Sequence, residues 1–232
     1  MDLKKEAAKK ALSLINNSTI FGLGAGSTIG YLVELLQPQL LKGLCARFVT
    51  SSFSTLQLLL KYNLPVEPVA SFKSIDIYFD GCDQVDIQLN ALKSGGGIHT
   101  QEKLLASMAK RFVLLADESK LVKQFNASLP MVVELLPQAV RYVPAYIENH
   151  FPGCRIAYRI SEKKDGCVIT ENGNYLLDVW FTQWPELNAV NQLMKSIAGV
   201  VETSLFLQLA HTAIIAGKDG VKILERGRNF RV

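Results

Sequence analysis

Apolar runs that end in glycine, hydroxyl or acidic residues, and lead straight into helical periodicity, constrain this chain more than any other feature. STIFGLG, residues 18–24, opens into GAGST and then into IGYLVELLQPQL, whose apolar positions recur at helical spacing. CARFVTSS followed by FSTLQLLLKYN repeats the arrangement, and SIDIYFDG is a third strand run that ends at Asp80. TQEKLLASMAK then reads as a helix and RFVLLADESK as a strand with charges at its carboxyl end. Strands alternating with helices predict a parallel sheet with right-handed crossovers. In such sheets ligands bind beyond the carboxyl ends of the strands, and the suspicious loops of these segments each fall at such an end.

Residues 2–15 have basic and apolar positions at helical spacing and predict an amphipathic helix ahead of the first strand. Around Leu129 the texture changes. LPMVVELLP is strand-like, QAVRYVPAYIENHF helix-like despite Pro144, and CRIAYRI, VITENGNYLLDVWF and ELNAVNQLMKSI follow. Asn172-Gly173 between β-rich runs is a hairpin signal. This β-α-β-β-α order predicts a small ferredoxin-like unit. HTAIIAG and GVKILER then return as last strands of the first domain. The expectation is an α/β fold: a Rossmann-like parallel-sheet domain, 1–127 plus 204–232, with a smaller inserted ferredoxin-like α+β domain, 128–203.

Hydrophobic residues make up 49% of the 232 and charged residues 20%, enough to bury a sizeable core. The net charge of +4 is mild and no Lys/Arg block forms a nucleic-acid stripe, so no nucleic-acid partner is expected. No run approaches about 18 uninterrupted apolar residues, so no membrane span is expected. The N-terminus lacks the apolar core and cleavage site of a signal peptide. Cys45, Cys82, Cys154 and Cys167 form no C-x-x-C pair and read as reduced thiols of a cytoplasmic protein.

GLGAGSTIG, residues 22–30, is the kind of stretch that holds a phosphate. A nucleoside triphosphate loop needs a lysine after its last glycine, but Tyr31 follows Gly30 and no lysine appears before Lys42. A dinucleotide site needs G-x-G-x-x-G and, about 20 residues on, an acid for the ribose. Neither glycine pair has the third glycine, and the second strand ends in Ser51 and Ser52. A single phosphate asks only for exposed amides at a helix N-terminus, hydroxyl donors and nearby lysines. AGST supplies the first two, and would equally serve as a plain strand-to-helix turn.

Further along, FDGCDQVD sets Asp80 and Asp83 around a glycine beyond an apolar strand, where acids also serve as turn formers. KSGGGIHTQEK then joins Lys93, three glycines, His99 and Glu102. A glycine triplet lets backbone amides form an anion nest, and a lysine beside it can oppose a developing oxyanion. Glu102 begins a helix, whose dipole favours its ionised form; it also suits a capping box. Lys120 ends ADESK. His99, His150 and His211 are isolated, so no metal set is indicated. Together these groups suit proton transfer beside a carbonyl on a phosphorylated substrate.

The ordered segments GLGAGST, SSFST, DGCDQVD, KSGG with a glutamate nine residues after the lysine, ADESK and TENGNYLLD resemble ribose-5-phosphate isomerases of the A type. The resemblance covers almost the whole chain. It implies interconversion of D-ribose 5-phosphate and D-ribulose 5-phosphate through an enediol(ate), without a cofactor or metal, in a homodimer or homotetramer. It also implies roles. Glu102 would carry the proton between C1 and C2, Lys93 would stabilise the oxyanion, and Asp80 and Asp83 would bind sugar hydroxyls and help open the ring. The implied substrate-binding set is Lys4, Ala25, Gly26, Ser27, Thr28, Asp80, Gly81, Cys82, Asp83, Lys93, Ser94, Gly95, Gly96 and Lys120. Four positions depart from the family's pattern: Ala25 stands where threonine is usual, Cys82 for alanine, Gln84 for glutamate, and Ser94 for a glycine. A non-catalytic sugar-phosphate-binding homologue is the alternative these departures leave.

Overall fold

The computed structural model describes residues 2–15 and 19–227. Ser18, where the expected first strand begins, lies outside the described residues. In chain order the elements are α1 (Leu3–Leu12), β1 (Ile20–Leu23), α2 (Ser27–Leu41), β2 (Arg47–Thr50), α3 (Phe53–Lys61) and β3 (Ile75–Asp80). Next come β4 (Gln84–Val85), β5 (Ala91–Leu92), α4 (His99–Met108), β6 (Ala109–Asp117), β7 (Met131–Leu135) and α5 (Tyr142–His150). The last are β8 (Arg155–Tyr158), β9 (Tyr175–Trp180), α6 (Leu187–Ser196), β10 (Val200–Thr203), β11 (Leu205–Phe206), β12 (Thr212–Gly217) and β13 (Gly220–Glu225). Two compact units result, one from 1–91, 101–123 and 208–232, the other from 92–100 and 124–207.

The first unit holds a six-stranded sheet of order β13-β12-β6-β3-β1-β2. Five strands are parallel, as the strand–helix alternation predicts; β13 departs, folding back antiparallel on β12. Phe21 and Leu23, Ile77 and Phe79, Val113 and Leu115, and Ile214 and Ala216 are each two apart on their strands and so share a face. That face packs with Ile29, Leu32, Val33 and Leu36 of α2 and with Ala7, Ala8 and Ala11 of α1, all fully buried. The alanines leave room for close approach of α1. Asp2 caps this helix by accepting from the amides of Lys4 (3.1 Å) and Lys5 (3.4 Å).

The second unit holds a four-stranded antiparallel sheet of order β10-β7-β9-β8. With α5 between β7 and β8 and α6 between β9 and β10, this is the expected ferredoxin-like order, completed by a strand, β10, that the sequence reading did not isolate. Pro144 is accommodated because it lies in the first turn of α5, where its missing N–H has no helical acceptor to lose. Asn172-Gly173 does form a tight turn: the Gly173 amide donates to Thr170 O at 2.9 Å, with Gly173 at φ 79°. Upstream of it, however, only isolated bridges such as Ile169↔Tyr175 form in place of a strand.

Candidate active site

The strand order reverses between β1 and β3: β2 lies beyond β1 on one side, while β3, β6 and β12 follow on the other. Such a reversal opens a crevice at the carboxyl ends, because the flanking helices leave on opposite faces. Gly24 sits at its lip and donates its amide to Phe79 O at 2.9 Å. Its carbonyl accepts from the Thr55 hydroxyl at 2.6 Å, while Ser52 caps α3 on the Thr55 amide at 3.2 Å.

Asp80 closes the crevice floor and is wholly buried. Its Oδ1 accepts from the amides of Ala25 (3.1 Å) and Gly81 (2.7 Å), and its Oδ2 accepts from the Tyr78 hydroxyl (2.6 Å). Such donors replace the hydrogen bonds to water that a buried carboxyl group loses. Tyr78 stays protonated to match: burial, then the carboxylates of Asp80 and Glu102, push its phenol well above the usual value. Gly24 is obligatory here, since a Cβ on it would stand 1.9 Å from Asp80 Oδ1 and 2.0 Å from its Cγ. Asp83, Cys82 and Gly81 are half-buried on the turn that follows. Asp86, the third acid of that segment, is a turn former, accepting from the amides of Gln88 and Asn90, each at 2.9 Å.

Gly26, with φ 93°, is the N-cap of α2, and no side chain caps the amides of that helix start. Ser27 and Thr28 form its first turn. Ser27 and Lys4 line one cavity of about 380 Å³, together with Asp2, Leu3, Tyr31 and Asp117. Tyr31 donates to Asp2 Oδ2 at 2.6 Å, tying the starts of α1 and α2. Asp117 accepts from the Ser119 amide at 3.0 Å and so shapes the turn that ends in Lys120. Glu102 lies in the first turn of α4 and is 5% exposed.

Lys93, Ser94, Gly95 and Gly96 belong to the second unit; the other site residues belong to the first. Lys93 is 7% exposed, with its ammonium 5.7 Å from the Phe206 ring centroid. The Ser94 hydroxyl donates to Pro130 O, so this departure from glycine anchors the loop. Gly97, at φ 74°, demands glycine there: a Cβ would meet Leu176 at 2.6 Å. His99 is buried, its Nε2 3.3 Å from Glu202 O.

Several residues escaped sequence reasoning. Tyr78 could have been found, since a residue two before a strand-end acid shares its face. Glu134 and Arg159 carried no local signal. Glu134 lies in the middle of an apolar strand, yet it collects the Thr100 hydroxyl, the Thr170 hydroxyl (2.9 Å), Asn172 Nδ2 (2.9 Å) and Asn174 Nδ2 (2.7 Å). TENGNYLLD therefore has a structural meaning: its Thr and both Asn converge on one buried carboxylate. Among the described residues no group of three or more His, Cys, Asp or Glu could hold a metal ion, and no helix is long and apolar enough to cross a membrane.

The sequence profile of the family "Ribose 5-phosphate isomerase A (phosphoriboisomerase A)" matches residues 47–220. The chain is 38% identical to ribose-5-phosphate isomerase A of Methanothermobacter thermautotrophicus, covering 97% of this chain and 98% of that one. It is 35% identical to the Pyrococcus abyssi protein of the same name, with the same coverage. Among solved structures, ribose 5-phosphate isomerase A from Methanocaldococcus jannaschii superposes with a TM-score of 0.89 at 34% identity, over 97% of this chain and 98% of that one. A D-ribose-5-phosphate isomerase in complex with phospho-erythronic acid superposes at 0.90 and 33% identity, again over 97% and 98%. With the family profile matching residues 47–220 and relatives of this name covered almost end to end, this protein belongs to the ribose 5-phosphate isomerase A family.

Proposed function

We infer that the protein interconverts D-ribose 5-phosphate and D-ribulose 5-phosphate by proton transfer. The reaction is redox-neutral: a proton leaves C2 of the open aldose and one returns to C1, while the carbonyl moves the other way. It therefore calls for a base and an oxyanion partner, with no electron carrier. Glu102 is the base, removing the C2 proton and returning it to C1. Lys93 stabilises the enediolate oxygen, and the amides of Gly95 and Gly96 contact the same substrate. Asp80 and Asp83 bind sugar hydroxyls and assist ring opening. Lys4, Ser27, Thr28 and Lys120 hold the phosphate, helped by the uncapped start of α2.

The observation that carries this reading is the cavity shared by Lys4 and Ser27: two residues far apart in sequence, each expected on the phosphate, line one space. The phospho-erythronic acid complex of the related isomerase supports an anionic sugar-like ligand. The reading extends to a homo-oligomer, as homodimer or homotetramer, and to a reducing cytoplasmic setting, supported by four free thiols.

Glu102→Gln tests it. The substitution keeps shape and removes the base, so kcat on ribose 5-phosphate falls at least about 100-fold, and deuterium from heavy water no longer enters the substrate carbon. Retention of most of kcat would make Glu102 only a helix-start acid and move the base to Asp80 or Asp83. A wild type without turnover would favour the non-catalytic binder.

A further inference from the structure

We infer that Arg159, oriented by Asp178, is a positioning residue that sets which way the amides of Gly95 and Gly96 face; its effect on turnover rests on the isomerase reading above. Arg159 follows β8 and Asp178 lies on β9. The pair is bidentate, with Nη2 2.6 Å from Asp178 Oδ1 and Nε 3.3 Å from Oδ2, and both side chains are largely buried, at 21% and 14% exposure. The rest of the guanidinium is spent on the loop: Nη1 donates to Gly95 O at 2.8 Å and Nη2 to Ser94 O at 2.9 Å. One planar cation thus holds two successive carbonyls.

In a trans peptide the carbonyl of one residue and the N–H of the next point in opposite directions. Fixing Ser94 O therefore turns the Gly95 N–H away from Arg159, and fixing Gly95 O does the same for the Gly96 N–H. Glycine alone would not hold this orientation, because it populates both signs of φ with little preference. Gly95 and Gly96 are exposed, and their amides face away from the guanidinium. Asp178 keeps the fork from swivelling. A lysine at 159 offers one ammonium in place of the fork and cannot serve both carbonyls and both carboxylate oxygens in one plane. An ion pair serving only strand packing would leave the carbonyls untouched.

The test uses full-length Arg159→Ala and Arg159→Lys. Loss of oriented donors at a developing oxyanion lowers kcat in Arg159→Ala about 10- to 100-fold, with KM moving less. Added ethylguanidinium restores part of kcat, whereas methylammonium does not, because only the former can bridge both carbonyls. Arg159→Lys remains well below wild type and decides the matter if Arg159→Ala does not fold. Amide hydrogen exchange of Gly95 and Gly96 in Arg159→Lys, faster than in wild type, reads the loop without turnover. Wild-type kcat in both variants with unchanged exchange overturns the inference. An inactive wild type with faster exchange in the variant overturns the isomerase reading and keeps the positioning.

Discussion

Asp80 and Glu134 are two carboxylates that are both buried, 0% and 1% exposed, and their oxygens are satisfied in different ways. Asp80 accepts from two main-chain amides at the β1–β3 reversal and from one phenol. Glu134 relies on side chains alone, two hydroxyls and two carboxamides. The main-chain part of such a site is set by strand order and cannot be removed by trimming side chains. A side-chain-built site can be taken apart residue by residue, and each donor must be written into the sequence. That is why the first unit shows its site as glycines and a strand-end acid, and the second as TENGN.

The sharpest way to break the comparison is Gly24→Ala. The new Cβ falls on the Asp80 carboxylate, which three donors prevent from swinging aside. Thermal melting should show a loss of about 3 kcal/mol, with activity collapsing as the crevice distorts. Wild-type melting and turnover would mean that Asp80 moves freely and that its cage is no cage.

The Glu134 network should yield in smaller steps. Asn172→Ala and Asn174→Ala each remove one donor to a charged group, at about 1–2 kcal/mol apiece by denaturant titration, and the double variant should depart from additivity because both donors meet the same oxygen. The pH dependence has a definite sign. Burial raises the Glu134 carboxyl, but its hydrogen bonds outweigh that and hold it below its ordinary value of 4.5. A depressed folded pKa stabilises above the unfolded value and loses that contribution as pH falls through the folded one. The stability gap between wild type and Glu134→Gln should therefore be full at neutral pH and narrow below about 4.5. A gap that widens on acidification would show that the network favours the protonated acid.

The two sites were unequally legible beforehand for the same reason. Periodicity and strand-end chemistry are local, so the parallel strands, the glycine turn and the strand-end Asp80 could be read from short windows, but not the close approach of Gly24 to Asp80. Glu134 sits inside MVVEL, where an apolar strand hides its partners, 34 to 40 residues away along the chain. Arg159 meets Asp178 only through the β8–β9 register, in which Tyr158 faces Leu177. Strand β10 escaped because four residues following a glycine carry too little pattern to distinguish a strand from a turn. Ser94, which read as an interruption of a glycine run, is compatible with the loop because the left-handed position is Gly97.

Ala25 gives the smallest and most specific expectation. Its amide is committed to Asp80, so the backbone at this position is already fixed, and only the side chain differs from the threonine that the resemblance leads one to expect. Residue 25 is half-exposed and directly precedes Gly26 and Ser27, the start of α2. Ala25→Thr would add one hydroxyl donor to the proposed phosphate cradle without changing its framework. One such hydrogen bond contributes about 0.5–1.5 kcal/mol to binding, which lowers KM a few-fold and leaves kcat close to wild type. Because Asp80 is held through the main chain, the substitution should not alter melting. A drop in kcat or stability would mean that the side chain at 25 reaches Asp80 after all, and that the backbone-built site depends on its side chains as Glu134 does. An unmoved KM would place the missing hydroxyl's work on Lys4, which lines the same cavity as Ser27.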